Sequence, residues 1–381
     1  MTDMTAYLDY NATTPVKPGV AAAIADALAV GGNPSSVHRN GRLAHAIVEG
    51  ARDQVGRLVG AASQDVIFTS GGTEANNLAL NMFAKAGRRL IVSAVEHLSV
   101  LATGDYLDAS VLPVDANGVV DLGALEEMLV SDERPALVSV MFANNETGVI
   151  QPVAQVAEIV HRHGALMHCD AVQAPGRVAV DMKALGADLM SLSAHKIAGP
   201  MGCGALVISP AVGKLSGWFQ GGGQERGLRP GSENVSGIAG IGAAAELSAE
   251  DLAAADRVKN LRDDLERRLQ AAAPDVLIFG NDVDRLNNTT CITMPGVASE
   301  TQVMAFDLAG IAVSAGSACS SGKVTPSHVL QAMGVEPEIA ECAIRISLGW
   351  QSTEADVDRL VTTWTELHDR LGDVKRALPA A

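Results

Sequence analysis

Short apolar runs rich in Val, Ile and Leu alternate, through the first two-thirds of the chain, with longer stretches whose apolar residues recur every three or four positions. The short runs predict strands at 65–69, 89–93, 136–142, 166–169, 187–192 and 204–208, with a proline-bearing edge strand at 111–114. The periodic stretches predict helices at 21–28, 44–58 and 153–163, one opening at 75–80, and a mostly helical run over 239–269. Strand and helix in alternation make an α/β sheet, largely parallel and covered by helices on both faces. Near Leu252 the pattern changes. Strands at 276–279, 289–294, 311–313 and 343–349, a helix at 301–309 and a closing helix at 356–371 suit a smaller α+β domain. The chain is therefore read as a large domain over 12–252 and a small domain over 253–381 joined by residues 1–11. Tyr7 to Pro15 is a short extended entry, and there is no internal repeat.

Composition narrows the class. With 381 residues the chain is too long for one simple core. Hydrophobic residues at 48% and charged ones at 19% suit a soluble globular enzyme. A net charge of −16 argues against a nucleic-acid binder, which needs a basic face, and leaves room for docking a basic partner. No apolar run approaches the roughly 20 residues of a membrane span. The N-terminus Met1-Thr2-Asp3-Met4-Thr5 has no Lys or Arg to open a secretory signal. Five widely spaced cysteines (169, 203, 291, 319, 342) form no CxxC pair, so no metal site is expected and reduced cytoplasmic thiols are.

In open α/β sheets ligands bind at the carboxyl ends of strands. Thr73, His97, Asn145, Asp170, Gln173, Ser193, His195 and Lys196 all stand at or just past predicted strand ends. Ser70-Gly71-Gly72-Thr73-Glu74, between a strand and a helix start, would present backbone N–H groups and the positive helix end to an anion; a capped helix after a glycine turn is the commoner use of such a stretch. Asn144-Asn145 is either turn or ligand contact. In Ser193-Ala194-His195-Lys196 a desolvated Lys196 would lose its proton and become a nucleophile toward carbonyls, pyridoxal phosphate being the obvious one. On those four residues alone a solvated surface lysine is an equal reading.

The rest of the set answers what that cofactor needs. Asp170 can face a pyridinium nitrogen, His97 can stack on the ring, and Thr73, Ser193 and His195 can meet a phosphate. Taken singly, His97 is a surface histidine and Asp170 a helix cap; eight residues on one sheet edge make a site. Asn33, in the loop 31–36, is placed to edge a substrate pocket, and Arg345, alone on its strand, suits a carboxylate. The segment 221–234 is too polar for core and too long for a turn. Cys319 sits among small residues from Gly316 to Gly322, either as a loop residue or as an exposed nucleophile; the other four cysteines look structural.

At this point the chain resembles the cysteine desulfurases of the class V aminotransferase family, in their nitrogenase-type and iron–sulfur-cluster-type branch. The stretches that carry the likeness are 7–15, 32–36, 68–74, 144–148, 170–173, 193–196, 222–226, 316–319 and 344–349, nearly end to end. Ser-x-His-Lys alone marks only the wider family. The resemblance implies a pyridoxal-phosphate enzyme of fold type I, acting on L-cysteine as a homodimer and passing sulfur to an acceptor or cluster scaffold protein. Lys196 would hold the cofactor, Asp170 its ring nitrogen and Gln173 its phenolic oxygen, with His97 stacked on the ring. Gly72, Thr73, Ser193 and His195 would bind the phosphate, joined by Ser232 of a neighbouring subunit. Asn145, beside the cofactor, would hold the substrate carboxylate with Arg345 and Asn33. Cys319 would take the sulfur as a persulfide and alanine would leave. Ser232 stands where the family often has Thr; the hydroxyl is kept. A selenocysteine lyase or an aminotransferase would share Lys196 without needing Cys319, and a scaffold protein without activity would not need the intact set.

Overall fold

The computed structural model describes residues 5–213, 215–316 and 327–377. Its main sheet has seven strands: β2 (Val66–Thr69), β3 (Arg89–Ser93), β4 (Ser110–Leu112), β5 (Ala136–Ser139), β6 (Leu166–Asp170), β7 (Leu189–Ser193) and β8 (Gly204–Ile208), with β1 (Ala6–Tyr7) lying outside it. Their order is β2-β8-β7-β6-β5-β3-β4. The run from β7 to β4 is parallel, while β8 is antiparallel to both its neighbours. Chain length explains the reversal. Only residues 194–203 join β7 to β8, and a parallel return needs a dozen or more. The turn that makes this hairpin contains His195 and Lys196.

Neighbouring residues on each strand point to opposite faces. Val66, Phe68, Ile91 and Val138 join one core with α2 (Arg39–Leu58), α5 (Leu122–Val130), α6 (Val153–Arg162) and α7 (Val235–Ala253). Ile67, Leu90, Val92 and Leu137 join the other, under α3 (Gly72–Lys85) and α4 (Leu98–Tyr106). Helix α1 (Pro18–Val30) packs on α7 through Val20 and Ala244.

A second, smaller assembly follows. β9 (Thr289–Thr293), β11 (Ser314–Ala315) and β12 (Ala343–Ser347) form an antiparallel sheet in the order β11-β12-β9, and β10 (Ile311–Ala312) pairs in parallel with β1. Its core is closed by α8 (Ala255–Ala272), α9 (Ser299–Leu308) and α12 (Glu354–Ala377), with Phe306 and Trp364 fully buried. The short α10 (His328–Ala332) and α11 (Pro337–Ala340) bridge the two assemblies.

Three details depart from the sequence reading. Residues 276–279 make no strand. Ile278 forms one bridge to Ile292, the Leu277 N–H donates to the Thr293 hydroxyl (3.0 Å), and Gly280 at φ 70° turns the chain away. The helical run 239–269 is broken at Ala254, so α7 and α8 are separate helices. Helices α4 and α5, not foreseen, start at side-chain caps on His97 and Asp121. Among the described residues no helix is long and apolar enough to cross a membrane.

Candidate active site

A cavity of about 620 Å³ lies between the carboxyl ends of the parallel strands and the smaller sheet, and its size suits a cofactor with a small substrate. Ten residues singled out in the sequence line it: Gly72, Thr73, His97, Asn145, Asp170, Gln173, Ser193, His195, Lys196 and Arg345. Ser232 and Asn33 are not among its lining and stand exposed on the surface. Cys319 lies outside the described residues, whereas Gly316, just before it, reaches the cavity wall.

Lys196 enters from the β7–β8 turn. The Thr14 hydroxyl donates to its carbonyl (2.9 Å), and Ala198 just beyond holds a left-handed φ of 63°, a strained conformation for alanine. Its Nζ donates to the carbonyls of Asn11 (2.5 Å) and Ala12 (2.8 Å). Burial, helped by the Arg345 and Arg177 guanidiniums and opposed by Asp9 and Asp170, pushes the amine down from 10.5 to about 7. The surface-lysine reading therefore does not hold. Beside it, His195 faces the Thr13 hydroxyl at 3.2 Å, and burial pushes its ring down to about 4, so the imidazole is neutral.

Asp170 ends β6 as a buried carboxylate with a donor on each oxygen. Asn76 Nδ2 reaches Oδ2 at 2.7 Å and the Val172 N–H reaches Oδ1 at 3.0 Å. Asn76 Nδ2 also donates to the Ser99 hydroxyl (2.9 Å), which lies 2.8 Å from His97 Nδ1. The Ser99 backbone N–H donates to that same Nδ1 (3.1 Å), so in the neutral ring the proton sits on Nε2. Burial lowers the His97 pKa while Asp170 opposes it. Asn76 thus ties the carboxylate to the imidazole. Sequence reasoning missed it because an asparagine inside a helix start resembles any other; its burial at 1% exposure is what marks it.

At the N-terminus of α3 the backbone comes close to its neighbours. A Cβ on Gly72 would stand 2.8 Å from Val172 Cγ2 and 3.4 Å from Ser193 Cβ, so only glycine leaves the N–H groups open there. Glu74 accepts from the Ser70 N–H (2.7 Å) and from Arg229 Nε (2.7 Å), which anchors the polar segment 221–234 to this turn. That segment has a second anchor. Glu225, at φ 44°, makes a two-pronged buried pair with Arg52 (2.8 and 2.9 Å) and also accepts from the Phe68 N–H (2.9 Å).

Across the cavity, Arg345 projects from β12. Its Nη2 meets Asp9 Oδ1 at 2.8 Å, its Nη1 donates to the Asn145 carbonyl (3.1 Å), and its buried Nε–H has no partner among the described residues. Asp9 and Asn11, which sequence reasoning passed over, bring the N-terminal segment into the site. Asn11 donates to the Asn145 carbonyl (3.0 Å) and to Thr289 Oγ1 (2.9 Å). Asp170, Lys196 and Arg345 thus face one space from three elements. The described cysteines, 169, 203, 291 and 342, are buried and unpaired, as structural thiols are.

The chain as a whole is similar to several known proteins. The chain is 43% identical over 376 residues to a cysteine desulfurase of Cereibacter sphaeroides, covering 96% of each. The solved NifS-like protein of Rickettsia africae superposes with a TM-score of 0.89 at 39% identity, covering 96% of this chain and 99% of that one. SspA, solved in complex with cysteine, superposes at 0.75 with 30% identity, covering 90% and 98%. The family model for class-V aminotransferases matches residues 6–360, and on that match, over a cavity built as described, this chain belongs to the aminotransferase class-V family.

Proposed function

We propose that this chain is a pyridoxal-phosphate-dependent cysteine desulfurase, converting L-cysteine to L-alanine and passing the sulfur through Cys319 to an acceptor protein for iron–sulfur cluster or thio-cofactor assembly. The observation that carries the reading is Lys196: an amine at about 7, facing a buried carboxylate across a cavity of cofactor size. The residues present fit the cofactor. The glycine gap at Gly72, at the start of a 14-residue helix with Thr73 and Ser193 beside it, is a cradle for a phosphate. Asp170, held by two donors, suits a pyridinium N–H, and neutral His97 suits a stacked aromatic ring.

When bound, the group supplies an electron sink that weakens the bonds at the substrate α-carbon. The chain's own residues do the rest. Lys196 would hold the cofactor through its amine. Asp170 would keep the proton on the ring nitrogen, and Gln173 would donate to the phenolic oxygen. Gly72, Thr73, Ser193 and His195 would bind the phosphate. Arg345, with Asn145 beside it, holds the substrate carboxylate. The Cys319 thiolate attacks the substrate sulfur, so that an S–S bond forms as the C–S bond breaks and alanine is released with a protein persulfide left behind.

Ser232, which stands outside the chain's own cavity, reaches the cavity of a second copy in a homodimer. The exposed Trp218 and Phe219, near the segment that carries Ser232, support such an interface. The chain divides into a large domain over 12–252 and a small one over 1–11 and 253–381, as its two separate cores support. Unpaired thiols support a cytoplasmic setting.

The test is incubation with L-cysteine, measuring alanine and protein-bound persulfide in the wild-type chain and in Cys319→Ala. The variant should keep the cofactor and form no persulfide. Alanine made by the variant at the wild-type rate, without added thiol, overturns the role of Cys319. An active monomer in sedimentation overturns the dimer.

A further inference from the structure

Arg177 has no part in the chemistry above, and its surroundings are unusual for a guanidinium. Among the described residues it has no carboxylate within 4.0 Å. Asp251, the acid whose field it feels, has its carboxylate 2.8 Å from Lys17 Nζ instead. Arg177 gives its hydrogen bonds to neutral oxygens. Nη1 donates to the Gln173 carbonyl (2.8 Å) and to Gln173 Oε1, and Nη2 donates to the Tyr10 carbonyl (3.4 Å).

These bonds decide which way the Gln173 amide faces. A guanidinium has donors only, so the amide must turn its oxygen toward Arg177. At the other end the Asn11 carbonyl only accepts, and Gln173 Nε2 donates to it at 3.1 Å. Lys196 Nζ donates to that same carbonyl. A continuous chain of contacts therefore runs from Arg177 through the Gln173 amide and the Asn11 carbonyl to the lysine. Arg177 and Lys196 also both line a second, smaller cavity of about 50 Å³.

We propose that Arg177 is a positioning residue for the lysine site: it fixes the Gln173 amide with its N–H side toward the large cavity, and its unmatched charge disfavours a second positive charge on Lys196. The first half rests on the pyridoxal-phosphate reading, because an amide nitrogen offered to the cavity suits a phenolic oxygen and not a donor. The second half does not. The groups facing Lys196 are Asp9 from the N-terminal segment, Asp170 from β6, Arg345 from β12, His97 at the start of α4, the neutral His195 of its own turn, and Arg177. Arg345 already has Asp9 at 2.8 Å, which leaves Arg177 as the cation with no carboxylate at contact.

The experiment compares wild type, Arg177→Met and Arg177→Lys as full chains. In chains stripped of cofactor, reductive methylation of Lys196 is followed against pH by peptide mass spectrometry. In loaded chains, the pH titration of the visible absorbance and the rate of pyridoxal phosphate loss are recorded. Removing the charge should raise both midpoints by about half a pH unit or more. Arg177→Lys should bring the midpoints back and leave cofactor loss fast, since an ammonium keeps the charge without the fork. Adding Gln173→Ala to Arg177→Met should cause no further acceleration of loss, because the arginine acts through that amide. Arg177→Gln serves in its place if the methionine variant does not fold. Midpoints within about 0.2 of wild type in a variant with the wild-type melting temperature overturn the charge effect. Additive acceleration overturns the amide effect. A wild-type chain that takes up no pyridoxal phosphate defeats the functional reading, while the methylation midpoints still decide the charge effect.

Discussion

Replacing Lys196 with Met should change how the stability of the cofactor-free chain depends on pH: the mutant-minus-wild-type difference is greatest near pH 7 and falls as the pH rises. The native amine sits at about 7 against 10.5 in an unfolded chain. Between those values the unfolded state binds a proton that the native state does not, so wild-type stability rises with pH through this window. Below pH 7 both states are protonated and the native state bears the full cost of a charge in a desolvated site. Above 10.5 both are neutral and the cost is gone. The gap corresponds to about 5 kcal/mol, and water in the open cavity reduces this to about 3–4 kcal/mol. Methionine has a stem of similar length and no charge. It also leaves the Asn11 and Ala12 carbonyls without their donor, a cost of about 1–3 kcal/mol each that does not depend on pH. The slope therefore discriminates better than the absolute value. Urea unfolding of both cofactor-free chains at pH 7, 8, 9 and 10 should show the mutant-minus-wild-type difference falling by about 1 kcal/mol per pH unit. Other titrating groups are common to both chains and cancel. A difference that stays flat from pH 7 to 10 would refute the claim that the fold holds this lysine neutral.

Other substitutions have equally definite outcomes. Glu225→Gln removes the buried carboxylate from Arg52, leaving it only the half-exposed Glu49 at 3.0 Å, and should cost about 2–3 kcal/mol in chemical denaturation; a loss below about 1 kcal/mol would show that the buried pair contributes little. Gly72→Ala places a methyl 2.8 Å from Val172 Cγ2 and should weaken pyridoxal phosphate binding about tenfold or more in a fluorescence titration, with the melting temperature little changed. Gly349→Ala puts a Cβ within 2.0 Å of the Tyr10 ring, which has no room to withdraw from the core, and should cost more than about 3 kcal/mol; an unfolding midpoint like that of wild type would contradict this.

The central sheet was legible because its strands are buried on both faces, so stretches such as 205–208 read as unbroken apolar runs. The site was legible because such sheets place ligands at strand ends, which made Asp170 and Lys196 conspicuous. What could not be read depends on partners far away in sequence. Asn76 meets Asp170 across 94 residues, and Asp9 meets Arg345 across 336. Neither pair leaves a local mark. Arg177 was invisible for a related reason: its weight comes from having no acid beside it, which only packing determines. The misread strand at 276–279 has the right composition, and its pairing stops at one bridge because the Leu277 N–H turns to a threonine hydroxyl and Gly280 turns the chain away.

The N-terminal segment has a consequence for how the molecule is made. Residues 6–11 run between the two assemblies. β1 lies along β10, Asp9 bridges to Ser347, and the Asn11 N–H donates to the Ser347 hydroxyl 336 residues later. Residues 6–11 thus have to wait for residues 311–347 before they can dock, while the seven-stranded sheet can close meanwhile from residues 66–208. The Asn11 carbonyl that receives Lys196 falls into place only at that final step. During synthesis the chain carries a nearly complete core in which the carbonyl partners of Lys196 are still missing, and the surroundings of that amine are complete only with the finished fold.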